Sequence, residues 1–173
     1  YEVDQFTRGF GDVVQKNKYT KAEADYFWSK FMDRFHAVDR ENTGELKGLL
    51  KIHSWIRISV FGDVADNQAW LIVQHADLDP TFQAEVLKLL GQLYPQGETK
   101  PGNYAYLFDR VAASWSDTSR RKLQRYGTQG DCKGIGLWEP IPMEKPEELE
   151  ARRAAVGLST MAEYLKVVGG ICK

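Results

Sequence analysis

The chain has 173 residues, 43% hydrophobic and 27% charged, with 23 basic side chains against 24 acidic ones and a net charge of −1. That length suits a single domain spanning residues 1–173 with a self-sufficient core, and the composition argues against disorder. Balanced charge provides no global basic field for a nucleic-acid backbone, and no run of about eighteen apolar residues exists to span a membrane.

In chain order, Val3, Phe6, Phe10, Val13 and Val14 share one face of an expected helix over residues 2–16, weakened by Gly9 and Gly11. Thr20 and Glu23 form a capping box that opens a second helix, whose apolar face runs from Phe27 and Trp28 to Val38. Asn42-Thr43-Gly44 is expected to break it, leaving Leu46, Leu49, Leu50 and His53 as a short third helix. Trp55–Gly62 reads as an extended connector or short strand, and Asn67–Ala76 as a helix buried all round. Asp79-Pro80 is an N-cap followed by proline at the first helical position, starting a helix that stops before Pro95. A Pro- and Gly-rich loop follows, then a helix from Tyr104 to about Trp115.

From Leu123 to Ile141, spaced glycines fit a hairpin or an irregular loop better than a helix. Pro146 opens a further helix closed by Gly157, and Thr160 with Glu163 caps a last one that ends at Gly169-Gly170. The expected fold is mainly α, a compact orthogonal bundle of about seven helices with at most one short β-hairpin near 123–141. Cys132 and Cys172 are too few for a disulfide scaffold; one bridge and two free thiols are the alternatives. The chain is expected to be soluble. Its compartment stays open between cytoplasmic and secreted with a removed N-terminal segment, because position 1 is Tyr rather than Met. Oligomeric state is equally open.

Polar chemistry gathers in three places. The most apolar helix ends in Gln74-His75-Ala76-Asp77, where buried polar groups need partners or a purpose. His75 sits at the negative end of the helix dipole, which favours its charged form and suits acid–base work. Asp109 and Arg110 are adjacent in a helix, face different directions and must each find a partner elsewhere. Tyr126, Thr128 and Gln129 offer a phenol, a hydroxyl and an amide around Gly127, where the backbone is free to bend or to approach closely. Asp4, Gln5 and Arg8 form a weaker, surface-like group, and Arg120-Arg121-Lys122 with Arg125 reads as a solvated basic patch.

These boxes have a family likeness. Gln74-His75-Ala76-Asp77, Tyr106-Leu107-Phe108-Asp109-Arg110-Val111 and Tyr126-Gly127-Thr128-Gln129, in that order, resemble the QHAD, YLxDRV and YGTQ boxes of DUF6624, a domain of unknown function. The likeness extends from Asp4-Gln5 to Leu165. It implies that His75, Asp77, Asp109, Arg110, Tyr126 and Gln129 belong to one site, and it carries no established activity. The chain departs from the pattern near Trp55-Ile56 and in a longer insert at Ser116 to Lys122, which bears on the substrate side of the site.

No GxGxxG, P-loop or GxSxG elbow is present, and His36 and His53 have no metal-binding spacing with a second His. A Cys132–His75 pair is disfavoured because Cys132 lies outside the boxes. The expected function is a cofactor-independent, metal-independent enzyme acting on a small, anionic organic molecule, without nucleic-acid or membrane partners. His75 would be the acid or base, oriented by Asp77 or Asp109. Arg110 would hold an anionic group, Tyr126 and Gln129 would donate to developing charge, and Gln74 and Thr128 would line the substrate. The alternative is a ligand-binding or protein-interaction module, possibly secreted, in which the same boxes hold the fold together.

Overall fold

Side-chain caps decide several helix ends. The computed structural model describes residues 20–172, so the helix expected over 2–16 and the Asp4, Gln5 and Arg8 group lie outside the described residues. The chain divides into two compact units, one ending at Ser54 and one beginning at Trp55.

In the first unit the Thr20–Glu23 capping box opens α1 (Lys21–His53). The expected break at Asn42-Thr43-Gly44 does not occur: α1 runs unbroken for 33 residues. Val38, Asp39, Thr43 and Leu46 are its buried positions among the described residues and fall within one arc of the helix. That stripe continues across the polar triplet, and a lone glycine costs only about 1 kcal/mol, too little to end a helix whose buried face goes on.

The second unit begins with Trp55 and Ile56, both buried. Of the extended connector expected over Trp55–Gly62, residues 55–57 are non-helical, but from Ile58 the chain forms the first turn of α2 (Ile58–Gln74), which is interrupted at Gly62 by a φ of 83°. A distant loop stabilises this turn: Ile58 N–H donates to the Glu98 carbonyl at 3.1 Å, and the Ser59 hydroxyl donates to the Glu98 carboxylate. Local sequence carries no trace of that partner. Asp79 caps α3 (Pro80–Leu93), accepting from Phe82 N–H at 3.1 Å. After a 3-10 turn at Tyr94–Gln96, α4 (Pro101–Ala113) starts on Pro101, three residues before the expected Tyr104. Helices α2, α3 and α4 pack on one another. Val73, Leu90 and Leu107 are completely buried, each contributing roughly 1.5–3 kcal/mol.

The glycine-rich stretch forms a hairpin, β1 (Gly130–Gly134) antiparallel to β2 (Leu137–Pro140), with Cys132 opposite Trp138. A Cβ at Gly130 would lie 2.2 Å from the Glu139 carbonyl oxygen and 2.4 Å from the Trp138 ring. Gly130→Ala is therefore expected to shift the pairing and cost about 1–3 kcal/mol in urea denaturation; an unchanged midpoint would contradict the packing. A 3-10 turn at Pro146–Glu148 leads into α5 (Leu149–Ala155). Gly157 at φ 70° follows it, and the Thr160–Glu163 box then opens α6 (Met161–Gly169). A disulfide joins Cys132 to Cys172 and ties the chain beyond α6 to the hairpin. The result is mainly α, with six α-helices and one short hairpin among the described residues.

Candidate active site

Helix α4 turns three successive side chains in three directions, about 100° apart. Phe108 meets Tyr126 edge to face, with ring centroids 6.0 Å apart. Asp109 is fully buried and faces the loop before the hairpin. Arg110 points to the end of α2.

Asp109 is the hub of that loop. Its carboxylate accepts from the backbone N–H groups of Arg125 at 2.7 Å, Tyr126 at 3.1 Å and Thr128 at 2.9 Å, and from the Thr128 hydroxyl at 3.0 Å. Gly127, at φ 68°, makes the bend that lets donors on both sides of it converge. Burial pushes the Asp109 pKa upward, and the hydrogen bonds from Arg125, Thr128 and Tyr126 oppose that shift. With its oxygens engaged this way, Asp109 shapes the loop from below and does not point at His75. Thr128 is likewise turned inward, so its hydroxyl serves Asp109 and does not line a ligand space.

Arg110 completes a separate network. Its Nε donates to Asp77 Oδ1 at 2.9 Å, and its Nη2 pairs with Oδ2 of the same carboxylate. Its Nη1 donates to Gln129 Oε1 at 3.1 Å, an oxygen that also accepts from the Trp115 indole N–H at 3.1 Å. Among the described residues, three of the five guanidinium N–H groups are thus committed and two are not. The pair is partly open, with side-chain exposures of 22% for Arg110 and 30% for Asp77. Gln83, buried in α3, braces Asp77 from behind: its amide donates to Asp77 Oδ1 at 3.2 Å and to the Val73 carbonyl at 3.1 Å. Asp77 therefore belongs to Arg110, and the partner Asp109 requires is the loop.

His75 caps the end of α2, its N–H donating to the carbonyls of Leu71 and Ile72 at 3.2 Å. The ring is half-buried, with Nδ1 on the inside. One position earlier, Gln74 is buried, and its side-chain oxygen has no hydrogen-bond donor among the described residues. Asp77, Arg110 and Gln129 are thus joined by hydrogen bonds where α2 ends, and Gln74 and His75 precede Asp77 by three and two positions in the chain.

Tyr126 does not join them. The bend at Gly127 places it on the Phe108 side of α4, in a core with Ala105 and Val156 and next to Tyr104. Burial raises its phenol pKa, and nearby Tyr104 adds to the shift. The ring borders a cleft of about 610 Å³ that also takes in Tyr94, Arg125 and Arg152.

Four polar side chains that the sequence reading passed over hold this framework. Asp66 is fully buried and accepts from the Trp55 indole N–H at 2.8 Å and the Asn103 amide at 3.1 Å. Gln124, also fully buried, donates to the carbonyls of Gln129 and Ile141 and accepts from Gln129 N–H at 2.9 Å. Arg153 donates to the Tyr126 and Ser159 carbonyls at 2.6 Å and lies over the Tyr164 ring. Gln83 is the fourth. The available signal was a polar residue at an apolar phase of its helix, as with Gln83 beside Phe82 and Val86.

Among the described residues, no group of three or more His, Cys, Asp or Glu side chains is placed to hold a metal ion, and no helix is long and apolar enough to cross a membrane. The family model of DUF6624, a family of unknown function, matches residues 5–171, so the chain belongs to that family. No curated protein and no solved structure matches the chain.

Proposed function

We propose that this member of DUF6624 is a cofactor-independent enzyme that handles a small, anionic organic molecule at the end of α2. The observation that carries the reading is the partly open Asp77–Arg110 fork, shared with Gln129 and Trp115 and set two residues from His75. A fork of this kind fixes an arginine in place, so a carboxylate or similar anion meets preset donors. Asp77 orients the guanidinium, and the two uncommitted N–H groups of Arg110 receive the anionic part of the substrate. His75 then exchanges a proton with the reacting atom, which suits isomerisation, cyclisation, elimination or hydrolysis. Gln74 and Gln129 supply the amide contacts. Asp109, Thr128 and Gln124 act at one remove, by holding the chain around Gln129.

The expected result is turnover of at least one member of a panel of small carboxylates, followed by proton NMR. His75→Gln and His75→Ala should each lower that rate by about 100-fold or more while the amide spectrum stays folded. Full activity in both variants would remove His75 from the chemistry. A second reading, a binding or interaction module in which the boxes hold the fold together, has its own support in the donors gathered on Asp109. If the protein is a non-catalytic binding or interaction module, no panel member is turned over, and His75→Ala changes thermal stability without changing any rate.

A further inference from the structure

On the opposite side of α4 from Arg110, the cleft that Tyr126 borders has the makings of a second site. Tyr126 is only 6% exposed and lines this cleft. The phenol is a donor at neutral pH, and burial raises its pKa further. Tyr94 borders the same cleft, stacked on Tyr104 with ring centroids 4.7 Å apart.

Arg125 supplies the charge. Its guanidinium lies over the Phe108 ring at 4.7 Å and commits its Nε to Glu144 at 2.5 Å, while its terminal amino groups make no hydrogen bond among the described residues. Arg152 fixes the wall. It donates to the backbone carbonyls of Arg125 at 2.8 Å, Glu144 at 2.7 Å and Lys145 at 3.1 Å, so the cleft is held before any ligand arrives. Arg125, Lys145 and Arg152 outnumber the two carboxylates there, Glu144 and Glu148.

We propose that this cleft binds the oxyanion of a small molecule, a carboxylate or a phosphate, between the terminal N–H groups of Arg125 and the Tyr126 hydroxyl. The in-plane N–H groups of a guanidinium and a phenol donor match the planar or tetrahedral oxygens of such a group. Tyr94, Ala155 and Val156 leave apolar room for the rest of the ligand. The site stands independently of the one around His75, and the two are told apart by where a ligand perturbs the protein.

The test is a nitrogen-15 NMR titration of the full chain with sodium benzoate and, separately, with inorganic phosphate, each at constant ionic strength against sodium chloride. Saturable shifts are expected at the Arg125 Nε–H and the Gly127 amide, with none in chloride. Benzoate alone points to a carboxylate ligand, phosphate alone to a phosphate ligand, and both to any small oxyanion. Tyr126→Phe should weaken the dissociation constant about three- to tenfold, and Arg125→Gln should abolish saturation. If Tyr126→Phe does not fold, Arg125→Gln decides the matter, and a variant that still saturates overturns the proposal. The proposal is overturned if neither anion saturates, if the shifts fall on Arg110 or on Arg120–Lys122, or if the folded tyrosine variant binds as tightly as the parent.

Discussion

Replacing Asp109 by Ala is expected to lower unfolding stability by about 3–5 kcal/mol, measured by urea denaturation followed by circular dichroism. The side chain is fully buried and accepts from three backbone N–H groups and one hydroxyl. Each donor left without an acceptor costs roughly 1–3 kcal/mol, and the full sum is reduced because the loop can shift toward water. Asp109→Asn is the sharper comparison. It keeps the shape but turns one oxygen into an amino group facing N–H donors, so it should recover little of the loss. A loss below about 1 kcal/mol in Asp109→Ala would show that the loop holds itself.

The consequence reaches the site. Gln129 follows Thr128 directly, and its side-chain oxygen is the partner of both Arg110 and Trp115. Loosening residues 125–128 should therefore detach Gln129 from Arg110 while leaving the Asp77–Arg110 fork in place. In the reading proposed for this chain, Asp109 affects the chemistry through the position of Gln129, with no part in proton transfer. A variant that keeps the fold should lose substrate affinity more than it loses the response to His75.

Features set by neighbours in the chain were legible in the sequence. The caps at Thr20, Asp79 and Thr160 each join a side chain to an N–H three residues on, so the local sequence contains the whole interaction. The rule that Asp109 and Arg110 must look different ways also follows from helix geometry alone, and the structure obeys it. What the sequence hid was partner choice over long separations. Nothing local says that Asp77 takes Arg110, 33 positions away, or that Asp109 takes a loop 16 to 19 positions on. The same limit separated Tyr126 from the residues it was grouped with: its place depends on the bend at Gly127, which distant partners, the Asp109 carboxylate and Arg153 among them, hold. The continuity of α1 through Gly44 was hidden differently, since a local breaker was outweighed by a buried stripe running past it.

Removing the disulfide with the double substitution Cys132→Ser and Cys172→Ser is expected to cost about 2–4 kcal/mol. The bridge closes a loop of 40 residues, for which chain entropy alone gives a figure near the top of that range. Other contacts share its work and set the lower end. Gly136 N–H donates to the Cys172 carbonyl at 2.7 Å, and Trp138 meets Tyr164 edge to face at 5.6 Å. Tyr164 in turn donates its hydroxyl to the Thr128 carbonyl at 2.9 Å, which links α6 to the loop around Asp109. Hydrogen exchange should therefore show the largest loss of protection in the hairpin and α6, a smaller one at Thr128, and almost none in α2 and α3. Thiol titration of the unfolded parent should find no free cysteine before reduction. Two reactive thiols there, or equal loss of protection across every helix, would mean that the bridge is not what fastens α6 to the hairpin.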